Sequence, residues 1–351
     1  MTTAAPPLAP TATRVAALRR ARAGTRLRRA ALLAGLLAAA VALTLTVGRS
    51  VTPPLDVLRV LAGQDVPGAT FAVRDLRLPR AVLSALAGMS FGLGGIVFQT
   101  LLRNPLASPD IIGISAGASA AAVLGIVVLG WSGAAVSVLA VTAGLAVAAL
   151  IYLLSWRDGV TGARLILIGI GLSAMLDSMI AYVLSRAPAW TLQDALRWLT
   201  GSVNGATADQ ALPVLAALVV FGGTLIARRG TLEAMRLGDD TAAALGVPLT
   251  RDKALIVMAA VGLIAVATAM AGPVSFVAFL SGPIALRIAG PGRAPLVPAA
   301  LTGALLVVLG DFAGQHLLPG RYPVGVVTGA LGAPFLIYLI VRAHRTAGGR
   351  T

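Results

Sequence analysis

Ten stretches of this chain are apolar and long enough to dictate the solvent in which it folds. They fall at residues 30–47, 81–102, 111–130, 134–155, 165–184, 211–227, 254–271, 274–288, 295–312 and 324–341. A helix needs about 20 apolar residues to cross the hydrocarbon core of a bilayer. No water serves the backbone there, so each stretch must close its own hydrogen bonds as a helix. The eighth is short, and it is read as beginning inside the Gly272-Pro273 break. Composition agrees, with 58% hydrophobic and 12% charged residues and a mean hydropathy of +0.90. Soluble domains run at about 45–50% and 25%. The expected fold is an all-α integral membrane protein of about ten transmembrane helices.

The net charge of +15 lies in the connecting segments, which makes it a topology signal rather than a nucleic-acid footprint. With the basic N-terminus placed inside, 20 of the 28 Lys/Arg fall on that side, the excess expected of cytoplasmic loops. The division is then a basic cytoplasmic tail at 1–29, largely disordered, a ten-helix transmembrane domain at 30–342, and a C-terminal tail at 343–351. Both termini are expected in the cytoplasm of a multi-pass cell-membrane protein. Cysteine is absent, so no disulfide or thiolate metal site can form. His316 and His344 are too few for a histidine-based metal site. The one lysine, Lys253, follows Asp252, so the Gly-Lys-Ser/Thr of a phosphate-binding loop is missing. If ATP drives this chain, another subunit binds it. No paired carboxylates, histidine cluster or nucleophile–base set lies in the spans, so no catalysis is expected.

The joints carry more information. In "LLRNPLASPDIIGISAGAS" (101–119), Asn104-Pro105 should end one helix. Ser108 and Pro109 should cap and open the next. The small residues from Gly113 to Ser119 leave room for another helix or for a bulky cargo. Gly88, Gly92 and Gly95 likewise permit close helix approach. In "RLGDDTAAALGVPLTRDK" (236–253), Asp239 and Asp240 suit a helix cap and first turn. Gly246 suits a left-handed stop, and Pro248 prevents continuation. The result is a short helix held out from the membrane, a docking knob or a solvated loop. On the opposite side, Thr191–Ser202 is amphipathic and too short to span, so it should lie at the interface. Two carboxylates fall within spans. Asp177 sits mid-segment and suits either a transport path or a buried hydrogen bond. Asp311 ends the ninth span near the outer boundary with no charge within four positions, which favours a structural or interfacial role.

These joints occur together in one family. "RLPR" (77–80), "LLRNPLASPDIIGISAGA" (101–118), "GSVNGAT" (201–207), "LGDDTAAALGV" (237–247), "AGPVSFVAFLSGPIALRI" (271–288) and "YPVGVVTGALGAPFLIYLIVR" (322–342) follow in family order. The chain resembles the permease subunits of ABC importers for iron–siderophore complexes and vitamin B12, most of all those of actinobacterial siderophore systems. The resemblance implies two permease subunits around a central pathway, two ATPase subunits inside and a substrate-binding protein outside. It implies no cofactor on this chain, with ATP used by the partner. The ATPase coupling loop would comprise Leu237, Gly238, Asp239, Asp240, Thr241, Ala244, Leu245 and Gly246. Arg77 and Arg80, with Arg321 as a substitute, would dock the binding protein. The fifth span would line the pathway, with Asp177, Ser173 and Ser178 as candidates. Two positions depart from the family pattern. Gln315 stands where an arginine is frequent, and "SGPIALR" (281–287) replaces a Pro-His. Both departures suit one half of a heterodimer. The alternative cargo is vitamin B12 or haem. The alternative class is an ion-gradient-driven secondary transporter, with Asp177 as its ion site and an idle 236–253 loop.

Overall fold

The helices of the computed structural model cover residues expected to be both membrane and loop. The structure describes residues 11–48, 50–109, 113–155, 162–290 and 294–348. The chain ends at 1–10 and 349–351, the Asp110–Ile112 part of the first joint, and Arg49, Arg157 and Arg293 lie outside the described residues.

Helix α1 (Thr11–Thr46) starts well before residue 30. Its first half is dominated by Ala, Arg and Leu, all strong helix formers, so the described part of the basic tail is helical rather than disordered. A short helix α2 (Pro54–Leu61), not expected from the sequence, follows. A π-helical segment, Phe71–Arg77, then runs unbroken into α3 (Leu78–Leu101). The second span therefore begins at Phe71 rather than 81. Arg74, Asp75, Arg77 and Arg80 depress local hydropathy without interrupting the backbone bonds.

Helix α4 (Ile114–Val123) continues as a π-helical turn, Leu124–Val128. Its N-cap is Gly113 at φ +71, so Ser108 does not cap it. Then come α5 (Ala134–Leu154), α6 (Gly162–Ser185) and α7 (Ala189–Leu199), which is the expected amphipathic piece. The sixth span is α8 (Ala208–Ala217), a π-helical turn at Leu218–Gly222 and α9 (Gly223–Ala227). Two short helices, α10 (Arg229–Met235) and α11 (Asp239–Ala244), precede α12 (Leu249–Ala271). The chain ends with α13 (Val277–Ala289), α14 (Leu296–His316) and α15 (Val324–Gly348). No strand occurs among the described residues.

Seven of these helical runs are long and apolar enough to cross a membrane, and three shorter apolar ones sit at Ile114–Val128, Val277–Ala289 and Val324–Leu339. In order they coincide with the ten apolar stretches, and the chain is a multi-pass membrane protein. The short eighth span starts at Val277, after the Gly272-Pro273 break rather than inside it. At about 1.5 Å per residue it is near 20 Å long, less than the hydrocarbon core. Non-helical backbone next to it must be satisfied by protein. Ser202 N donates to Ala271 O at 2.7 Å, and Gly325 N donates to Gly201 O at 3.2 Å. The turn after α7 is thus wedged between the end of α12 and the start of α15.

Helix α3 is the axis of the bundle, with 78% of its most apolar 18-residue stretch buried. Its glycines allow this. Gly88 and Gly92 lie against the backbone of Gly303, Ala304 and Ala299 in α14, and Gly95 lies against Ala278 in α13. A Cβ at Gly95 has no space unless α13 shifts. Gly95→Val should therefore cost about 1–3 kcal/mol by overpacking, read as a lowered unfolding midpoint in detergent. Gly24→Ala, where nothing lies within 4 Å, should leave the midpoint unchanged or slightly raised.

Candidate functional site

Helix α3 is about 36 Å long at 1.5 Å per residue, and a polar cluster sits at each of its ends. At the first end, Arg80 lies in the opening turn of α3. Its Nε donates to Asp311 Oδ2 at 2.6 Å and its Nη2 to Asp311 Oδ1 at 2.7 Å, a two-bond fork of the strongest kind. Its Nη1 donates to Asn204 Oδ1 at 3.3 Å. The Asp311 side chain is only 8% exposed. The structural role expected of Asp311 thus has a partner 231 residues away, beyond reach of any local search for charges. Asn204 was not singled out from the sequence. Its only signal is its place in the "GSVN" turn.

Arg77 does something different. Its Nη1 donates to Leu45 O at 2.8 Å, Thr46 O at 3.1 Å and Thr52 Oγ1 at 3.1 Å, and its Nη2 donates to Ser50 O at 2.8 Å. A cation is favourable at the C-terminal end of a helix, and here it pins the end of α1. Of the three arginines expected to dock a partner, Arg77 is engaged by its own chain and Arg80 is shared with Asp311. Arg321 is exposed. All three line a cavity of about 390 Å³ with Gln315 and His316.

At the other end, Gly238 at φ +116 is the N-cap of α11, and neither aspartate caps it. Asp239 instead accepts from Lys253 Nζ of α12 and from Arg103 Nη2, at 2.9 Å, just beyond α3. The stop forms as expected: Gly246 has φ +84. Gly246 N donates to Ala243 O at 2.9 Å and Val247 N to Ala242 O at 3.0 Å, the paired bonds of a Schellman motif. Ala242 is buried, whereas Leu237 and Leu245 are 66% and 64% exposed. Arg228 and Thr231 brace the neighbouring turn by donating to the buried Asp252 at 3.0 and 3.2 Å.

The third candidate lies on α6. Asp177 and Ser178 are exposed, but the Ser173 hydroxyl is buried without a partner and faces Gly113 of the neighbouring joint. The three residues do not form one polar patch. Only 11% of the most apolar 18-residue stretch of α6 is fully buried, and 11 of the 22 residues from Arg164 to Ser185 are exposed, so one face of this helix is bare. An aspartate at the centre of a lipid-facing helix costs about 2.5–3.5 kcal/mol. The bare face therefore calls for water or another subunit. Among the described residues, no group of three or more His, Asp or Glu could hold a metal ion.

Asp311→Ala leaves a partly buried guanidinium unpaired and should cost about 2–5 kcal/mol, read as a lowered unfolding midpoint that Gln315→Ala does not share. Burial raises the Asp239 pKa, but the hydrogen bond and charge of Lys253 and the charge of Arg103 outweigh this and hold it below the usual carboxylate value. A depressed folded value contributes stability above the unfolded pKa, near 3.8, that is lost as pH falls through the folded one. Because both partners are partly exposed, the contribution is about 1 kcal/mol or less. Amide exchange in α11 should quicken as pH falls into that range, after correction for intrinsic rates, and Asp239→Asn should remove this pH dependence.

Comparison with known proteins adds three findings. Residues 36–342 match the model of the FecCD transport family. Two relatives from Escherichia coli (strain K12) are the ferric enterobactin transport system permease proteins FepG and FepD. FepG is 40% identical over 294 residues, covering 83% of this chain and 88% of that protein. FepD is 34% identical over 319 residues, covering 90% and 94%. The solved structure of an inward-facing metal-chelate type ABC transporter superposes with a TM-score of 0.80 at 25% identity, covering 89% of this chain and 98% of that one.

Proposed function

The chain belongs to the FecCD transport family, and from that premise we propose that it is a permease subunit of an ATP-driven importer carrying ferric-siderophore complexes into the cytoplasm. The observation that carries the coupling part is α11. A six-residue helix has little stability of its own. This one is tied by Asp239 to Lys253 and Arg103 and closed by Gly246. It presents Leu237 and Leu245 at an end of the bundle where the neighbouring groups are charged. Apolar side chains held rigidly in that setting fit the groove of a partner protein. That partner is the ATPase, in two copies, and its closure on ATP moves α11 and with it α3 and α12.

The uncovered α6 face fits a second permease subunit, with the pathway between the two and Asp177 facing it. FepG and FepD are named as two permease proteins of one ferric enterobactin system, which favours a paralogue over a second copy of this chain. The cavity end of α3 meets the extracytoplasmic binding protein. There Arg321 and the outer side of Arg80 offer forks for carboxylates, while Arg77 shapes the surface they rest on. Both termini then lie in the cytoplasm. The cargo assignment follows the relatives' names. The chain supplies path and coupling and performs no chemistry of its own.

The test is uptake in vesicles holding this chain, its partner permease and the cognate ATPase, with binding protein and ferric siderophore added. Asp240→Arg combined with Leu245→Asp should abolish ATPase association and lower uptake to background, with the unfolding midpoint unchanged. Uptake without ATP, or an indifferent double variant, would reject the coupling role and turn attention to Asp177 as an ion site. Competition by vitamin B12 or haem would reassign the cargo.

A further inference from the structure

A second cavity, of about 380 Å³, lies on a different flank of the bundle and takes no part in the coupling or docking geometry. It opens between the first half of α1, the α9–α10 junction and the first turn of α14. Arg26 of α1 and Arg229 of α10 line it, and Glu233 of α10 is the one carboxylate on the lining. The first turn of the 21-residue α14 closes it, which adds the positive end of a helix dipole. The lining thus sets two guanidinium groups and a helix N-terminus against one carboxylate.

Its rim has the opposite character. Leu27, Ile226 and Val297 line the cavity and are also exposed large apolar side chains. Depth places the two halves. Arg77 holds α1 at Thr46, and Arg26 lies twenty residues earlier, or about 30 Å along the helix. That is about one hydrocarbon thickness. Arg26 therefore sits at headgroup level on the α11 side. The basic stretch of α1 is also docked there: Gly290, at φ +76 beyond α13, has the space for a Cβ taken by Arg29 Nη1, 2.5 Å away.

An occupant must satisfy both halves. A free inorganic anion meets the arginines and leaves the apolar rim bare. We propose that this cavity binds the phosphodiester headgroup of an anionic phospholipid from the leaflet on the α11 side. Arg26 and Arg229 pair with the phosphodiester, and the acyl chains run along Leu27, Ile226 and Val297. Basic pockets between spanning helices are suited to such headgroups. The bound lipid bridges α1 to α10, the helix that leads directly into α11. This inference needs the chain to span a membrane but does not depend on the cargo or on the ATPase.

The experiment is native mass spectrometry of the full-length chain after detergent exchange, with phosphatidylglycerol or phosphatidylcholine added in separate arms. The wild type should retain phosphatidylglycerol and shed phosphatidylcholine. Arg26→Gln combined with Arg229→Gln should lower phosphatidylglycerol retention by roughly tenfold or more. Arg28→Gln, exposed and off the lining, should leave it unchanged. Ala23→Trp keeps both charges and fills the cavity from the exposed side of α1, so it should also release the lipid. It decides the matter if the double variant fails to fold. Equal retention by the double variant, or by Ala23→Trp in its place, would overturn the proposal. So would equal retention of phosphatidylcholine, or displacement of phosphatidylglycerol by millimolar inorganic phosphate, which would mark a simple anion site.

Discussion

Backbone polar groups in hydrocarbon have no water to bond, and everything else in this structure is arranged around that requirement. It makes every apolar stretch helical, and it makes each break in a helix a problem needing a local answer. The break between α12 and α13 has such an answer. The carbonyl of Ala271 accepts from Ser202, and Gly201 accepts from Gly325, so the turn after α7 fills the place where the short eighth span cannot reach. The same turn carries Asn204 to Arg80. One structural repair thus positions part of the polar cluster at the first end of α3.

Close packing around α3 is the second consequence. Lipid tails are as apolar as leucine, so helices in a bilayer associate through contact and shape rather than escape from water. Gly88, Gly92 and Gly95 bring α3 against the backbones of α14 and α13. A helix held on several sides is a stiff rod, and a polar cluster is attached at each end of it. Arg80 forks Asp311 at one end, and Arg103 reaches Asp239 at the other. The first pair is largely buried and the second is largely exposed, so the cavity end of α3 is held more firmly than its α11 end. The peripheral helices contrast with this core. Helix α6 leaves half of the residues from Arg164 to Ser185 exposed.

The charged groups divide by what surrounds them. Asp311 and Asp252 are buried and each meets an arginine, the condition under which a buried charge is tolerated. Asp177 is exposed on a bare helix, and this distinguishes it from the other two more sharply than its place in the sequence does. Arg77 shows the reverse: an arginine with the look of a docking residue is bound up in holding the end of α1.

Much of this was legible without coordinates. Hydropathy alone located ten spans, and Gly246 with Pro248 marked the end of α11, because local backbone physics decides both. It misplaced the starts of α1 and the second span. Arginine lowers hydropathy while remaining a good helix former, so the pattern ended where the helix did not. It assigned a cap to Asp239 and Asp240 because aspartate commonly caps, whereas Gly238 takes that place and frees Asp239 to bind Lys253 and Arg103. Membrane residence, helix order and the short helix α11 with its stop are thus properties of the sequence, since each rests on neighbours a few residues apart. The pairing of Arg80 with Asp311, the internal engagement of Arg77, the burial of Ser173 and the two cavities were decided only by tertiary structure. Each joins groups far apart along the chain, and no short-range pattern can say which of many charged or small residues will meet.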